Sequence, residues 1–242
     1  LDGLDNDGNG VVDDVHGPTF DARMLPSRAD IPPWSAYLEP KASFAIILDK
    51  GQLDLDYGLD TPEARFIAAR SREAGLAEQT EDVRSLGEVF AHSHGTYVAS
   101  IIADGAPFVR LMNARLLNEG FDPDEVPVSE VENDRWLAAL PGFAARLRGA
   151  HVRVVNMSWI ASVDGISDAL LRTGLEDDPA RAGERARAMY GAVRAGLSQV
   201  MRDCPDILFV AAAGNSNQSD ATLGAVPQTL DAPNMIVVGA VG

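Results

Sequence analysis

Residues 91–103 read AHSHGTYVASIIA, so His94, Gly95 and Thr96 stand directly against an apolar run. An imidazole, with an ordinary pKa close to neutrality, is suited to moving protons. The residues after it are helix-compatible, which places His94 at an expected helix start. There the positive end of the helix dipole disfavours the imidazolium, and a neutral ring can act as a general base. Gly95 leaves space for a substrate or partner backbone beside the ring. These residues alone leave a second reading open, a helix-start histidine with no task. Two other stretches, VVNMSWI (154–160) and FVAAAGNSN (209–217), are apolar runs that end in small or polar residues. An asparagine after Ala-Ala-Gly can aim its amide across a cleft while Gly214 lets the backbone turn. Such a donor, set against a developing oxyanion, can lower a barrier by roughly 3–4 kcal/mol. A strand followed by an ordinary turn is the alternative.

Positioning these groups takes a scaffold, and the chain supplies its elements in a consistent order. SFAIIL (43–48) fits either a buried strand or one side of a helix. DTPEARFIAARSREAG predicts a helix capped by Asp60 or Thr61, with Pro62 in its first turn and Gly75 as its stop. Residues 76–90 are charged and partly helical, and 108–117 read as a strand. SEVENDRWLAAL predicts a helix with a Ser129-x-x-Glu132 capping box, kinked or ended at Pro141-Gly142. Residues 151–158 read as a strand, and Asp178-Pro179 opens a helix to about residue 203. Further strands are expected at 206–215 and 235–241. Strands separated by helices give an α/β fold with a mainly parallel sheet and helices on both faces. Ligands in such sheets bind outside the carboxyl ends of the strands. That makes Asn156 to Ile160 and Gly214 to Asn217 the informative segments.

The three motifs, in this order, resemble the subtilisin-like serine proteases (subtilases). That family reads His-Gly-Thr-His-Val-Ala-Gly around its catalytic base, then an NMS strand end lining the substrate groove, then Ala-Ala-Gly-Asn. The MIVVGAV run beyond the asparagine also matches. The resemblance covers 91–117 and 151–242, with 118–150 as a helical insertion and 18–90 as an irregular and helical segment. It implies an incomplete three-layer subtilisin-like peptidase domain acting on polypeptides. Carried over, His94 is the general base and Asn215 the oxyanion-hole donor. Ser158, Trp159, Ile160 and Gly214 line the groove, where an extended substrate pairs as an added strand. Tyr97 stands for the family's second His and Ser100 for its Gly. Ile160 stands where the family has Gly, so its side chain crowds the primary specificity pocket.

The family's nucleophile lies in a Gly-Thr-Ser-Met-Ala segment, and none occurs before Gly242. The chain alone is therefore expected to be inactive. Alternatives are a pseudo-protease that binds peptides or a partner, or one half of a two-chain protease completed by the rest of the domain. For the catalytic Asp, Asp49-Lys50-Gly51 after an apolar run is one candidate and a residue upstream of Leu1 the other. Asp5, Asp7, Asn9, the Val11 carbonyl and Asp13 match the first half of a calcium loop, with Gly10 at the turn; position twelve holds His16, not Glu. A structural Ca2+ in 1–17 is the expectation, beside a solvated acidic turn. The formal net charge of −16 argues against a nucleic-acid partner, which needs clustered Lys and Arg. No apolar run reaches membrane-spanning length. Secretion or a periplasmic location is what the family implies. The lone Cys204 falls on a helical stripe with Met189, Leu197, Val200 and Met201 and is expected as a buried thiol.

Overall fold

A computed structural model of the chain describes residues 38–114, 130–214 and 224–239. The chain divides into two compact units, one formed mainly by residues 28–111 and the other mainly by 124–242.

The first unit is helical. Helices α1 (Leu38–Asp56), α2 (Pro62–Glu73) and α3 (Leu76–Ala103) pack on one another. SFAIIL belongs to α1, with Ala42 and Ala45 buried against Val89 of α3. Thr61 caps α2 as one of the two expected residues, its hydroxyl accepting from the Ala64 N–H at 3.1 Å. Asp60 instead holds Arg65 by two hydrogen bonds, at 2.6 and 2.7 Å. Gly75 separates α2 from α3, and its N–H donates to the Glu78 carboxylate at 3.0 Å. Arg70 of α2 grips Asp82 of α3 through two guanidinium N–H groups and lies over the Phe44 ring.

The second unit holds α4 (Glu130–Gly149), β1 (Val154–Met157), α5 (Val163–Arg172), α6 (Pro179–Asp203), β2 (Leu208–Ala212) and β3 (Met235–Val238). The strands form a parallel sheet in the order β1-β2-β3, with Asn156 opposite Val210 and Val210 opposite Ile236. Alternation along the pleat sends Met157, Phe209 and Ala211 to one face. There they meet Leu140, Ala144 and Leu147 of α4 and Leu197, Val200 and Met201 of α6 in one core. The other face carries exposed Val154, Leu208, Ile236 and Val238. The architecture is the α/β one expected, and incomplete: among the described residues, helices cover one face of the sheet.

Several local expectations are corrected. Of the two outcomes expected at Pro141, a kink or an end, the end is overturned: α4 runs on to Gly149. The apolar positions Leu140, Ala144 and Leu147 continue across the proline at helical spacing, so packing outweighs the lost hydrogen bond. The strand expected from 151 begins at Val154, because His151 is left-handed (φ 54°) where α4 ends. Of the strand expected over 108–117, residues 108–113 are not in a strand, Ala114 makes a β-bridge and 115–117 lie outside the described residues; Phe108 is almost fully exposed. Helix α5 was not anticipated; Ser162 caps it by accepting from the Gly165 N–H at 3.1 Å. Cys204 is buried as expected, and burial pushes its thiol above the ordinary value.

Asn234 ties the α6–β2 turn to the start of β3, its amide donating to the carbonyls of Met201, Cys204 and Ile207 at 3.2, 2.9 and 3.0 Å. Glu176 does comparable work between α5 and α6. Burial alone would raise its pKa. The Asp177 and Asp178 N–H groups, with Arg181 and Arg185, outweigh that and hold it below 4.5. A folded-state pKa below the unfolded one contributes stability that is complete above the unfolded value and lost as pH falls through the folded one. Thermal melts of Glu176→Gln and the parent are therefore expected to differ most near neutral pH and to converge only once pH has fallen through the lowered folded-state pKa, below the ordinary glutamate range. A gap that is constant with pH would show that the charge plays no part.

Candidate active site

The site is assembled at the carboxyl ends of β1 and β2. After Met157 the chain leaves the sheet as Ser158, Trp159 and Ile160, and then Ala161 forms an antiparallel bridge with Val226. Both bridge hydrogen bonds, Ala161 N–H to the Val226 carbonyl and the reverse, are 2.9 Å long. Trp159 packs against the sheet core, and the Ser158 hydroxyl accepts from the Asn156 amide at 2.9 Å. Between Trp159 and the bridged Ala161, Ile160 stands half exposed.

From β2 the chain passes through Ala213, whose N–H donates to the Val238 carbonyl at 2.9 Å, to Gly214. The φ of Gly214 is +95°, a conformation in which a side chain is strained, so glycine is required at this turn. A Cβ placed there would lie 3.6 Å from Ile160 Cδ1 and 4.0 Å from Gln228 Nε2. Gln228 is 4% exposed, and neither its amide nitrogen nor its amide oxygen has a hydrogen-bond partner among the described residues. It is held by its neighbours: Val226 is in the bridge, and the Thr229 hydroxyl accepts from Arg194 of α6 at 3.0 Å. Sequence reasoning missed Gln228. A single polar residue in a proline-containing loop carries no periodic or spacing signal.

His94 belongs to the helical unit. It lies well inside α3 and not at a helix start, which corrects the dipole reasoning: that effect fades within the first turn. The helix is continuous despite Gly87 and Gly95, and the Ser93 hydroxyl donates back to the Val89 carbonyl at 2.8 Å. The His94 ring packs on Phe90, with centroids 4.9 Å apart. Phe90, His94, Tyr97 and Ile101 follow one another at helical spacing, and the three apolar members are exposed. Asp49 does not end a strand but lies exposed on α1. Its neighbours serve helix packing. Lys50 pairs with Asp54 and Glu63, and Gly51 permits close approach of α2, since a Cβ there would sit 2.5 Å from the Glu63 carbonyl oxygen.

Thus Ser158, Trp159, Ile160 and Gly214 are brought together in one unit, and His94 stands in the other. Asn215, like Asp5, Asp7, Asn9, Val11 and Asp13, lies outside the described residues. Among the described residues no three His, Cys, Asp or Glu side chains gather as a metal site, and no helix is long and apolar enough to cross a membrane.

Compared with known protein families, residues 50–242 match the model described as the Subtilase family. No curated protein and no solved structure matches the chain.

Proposed function

From the premise that the chain belongs to the subtilase family, whose members are serine peptidases, we propose that it forms part of an endopeptidase that hydrolyses peptide bonds in polypeptides. His94 is the general base and Asn215 the oxyanion donor. A serine from the family's nucleophile segment attacks the carbonyl and passes its proton to His94. An aspartate holds the imidazole tautomer, and Asn215 takes up the charge that develops on the carbonyl oxygen. Ser158 to Ile160 pair with the substrate backbone. One observation carries the reading: the family match runs through all three motifs, and two of them end on adjacent parallel strands, where α/β sheets bind ligands. In this reading the serine segment, which does not occur among these 242 residues, comes from elsewhere in the intact protein or from a partner chain.

Fluorophosphonate labelling of the protein from its natural source, followed by intact mass, tests this. A labelled polypeptide that contains these residues, or a labelled partner chain bound to them, is expected. An unlabelled protein that nevertheless binds peptides would favour the pseudo-protease, a reading that gains support from Ile160 lying against Gly214.

The same reading takes residues 5–13 as a structural calcium loop and the protein as secreted or periplasmic. Adding Ca2+ to chelator-treated protein is then expected to raise Tm by several degrees, about the shift for 1–2 kcal/mol in a chain of this size. Identical melts in Ca2+ and chelator would leave the loop a solvated acidic turn.

A further inference from the structure

One oxygen, the Thr229 hydroxyl, gathers three partners that the proposed chemistry does not use. Tyr190 and Arg194 lie one turn apart on α6 and share a face of that helix. An Arg194 guanidinium N–H donates to the Thr229 hydroxyl at 3.0 Å, and the Tyr190 hydroxyl lies 3.5 Å from the same atom. A hydroxyl has one proton to give, and that of Thr229 goes to the Ala225 carbonyl. Tyr190 is therefore the donor in its contact, and the Thr229 oxygen has its whole bonding capacity engaged. The Ala225 carbonyl also takes the Thr229 N–H at 3.2 Å, and the Leu230 N–H donates to the Pro227 carbonyl at 2.9 Å. Residues 225–230 thus form a closed turn tied to α6 by a charged donor, the stronger kind of hydrogen bond.

The same turn reaches the candidate site. Val226 has no exposed surface and exchanges both bridge hydrogen bonds with Ala161, the residue that follows Ser158 to Ile160. The other end of the path is firm, because Leu197, Val200 and Met201 of α6 sit in the core beneath the sheet. We propose that Arg194, supported by Tyr190, is a positioning residue. Through Thr229 and the Val226–Ala161 bridge it sets where Ser158 to Ile160 meet the backbone of an extended peptide. The proposal rests on the peptidase reading and goes beyond it, by giving a task to a residue of α6 that touches neither substrate nor reacting atoms. Only a substrate long enough to pair with that segment depends on its placement. A single-residue ester reports the chemical step without it.

The test assays the natural-length protein with a long peptide and with such an ester, active protein being counted by fluorophosphonate titration. Arg194→Met keeps most of the stem and removes the donors. It is expected to raise KM for the peptide about tenfold, while kcat and ester hydrolysis stay within about threefold. Thr229→Val should do the same, and the double variant should be scarcely worse than either, since both break one path. Arg194→Lys keeps a charged donor and should bind the peptide more tightly than Arg194→Met. An unchanged peptide KM, or peptide and ester weakened alike beside a lowered Tm, overturns the positioning role and leaves the peptidase reading intact. Where the parent turns over neither substrate, the peptidase reading fails and calorimetry with the peptide decides the rest. Binding about tenfold weaker in Arg194→Met then supports the positioning role. Equal affinity in parent and variant, or no binding by either, overturns both.

Discussion

Replacing Phe209 by alanine is expected to cost about 3–5 kcal/mol, the range for truncating a large buried aromatic ring. Phe209 lies on the central strand and is 2% exposed, in one core with residues of α4, α6 and β1. Its ring therefore has neighbours on every side and little means of collapse around the void. A typical domain is stable by only 5–15 kcal/mol, so the substitution removes a large fraction of the total. Urea denaturation followed by tryptophan fluorescence measures it, because Trp136 and Trp159 both pack against this core. Leu208→Ala is the control. Leu208 is the adjacent residue and points to the exposed face, so its loss should cost under about 1 kcal/mol. Equal costs at the two positions would mean that the second face of the sheet is covered in solution.

What could be read from residues alone follows from where local chemistry decides the outcome. The starts of α2 and α6 were legible because capping is local: Thr61 with Pro62, and Asp178 with Pro179, each hold first-turn N–H groups wherever the helix ends up. Strands β1, β2 and β3 were legible as apolar runs ending in small residues, and the Cys204 stripe as a 3.6-residue period. Elements governed by long-range packing were not legible. The course of α4 through Pro141 depends on Leu140 and Leu147 finding α6. SFAIIL became a helix because Ala42 and Ala45 meet Val89, more than forty residues on. Glycine and threonine after His94 suggest a helix start there. The cap of that helix is made far upstream, where Gly75 meets Glu78. In the candidate site, the strand-end glycine and the Ser158–Ile160 segment were visible as types in a pattern. Gln228 was not, since its meaning lies in what surrounds it: burial, Gly214 alongside, and no partner among the described residues.

His94→Ala in the natural-length protein is expected to lower kcat by about 10⁴–10⁶, with KM changed little. In the proposed mechanism the base takes the nucleophile's proton in the step that forms the tetrahedral intermediate, and its ring contributes little to ground-state binding, so the loss falls on the chemical step. On the same proposal, Asn215→Ala should lower kcat less, by about 10²–10³, since it would remove one donor to the oxyanion while the proton-transfer machinery remains. The double variant should be scarcely worse than His94→Ala alone, since groups that act in one transition state do not contribute additively. A purely structural role for His94 predicts another pattern. His94 packs on Phe90 in the middle of α3, so a packing role would appear as a lowered Tm, matched by Phe90→Ala, with kcat preserved in whatever fraction stays folded. Turnover within tenfold of the parent after His94→Ala would remove the general base from the mechanism. The histidine would then be a packing residue of α3, and the catalytic proton acceptor would have to be sought elsewhere in the intact protein.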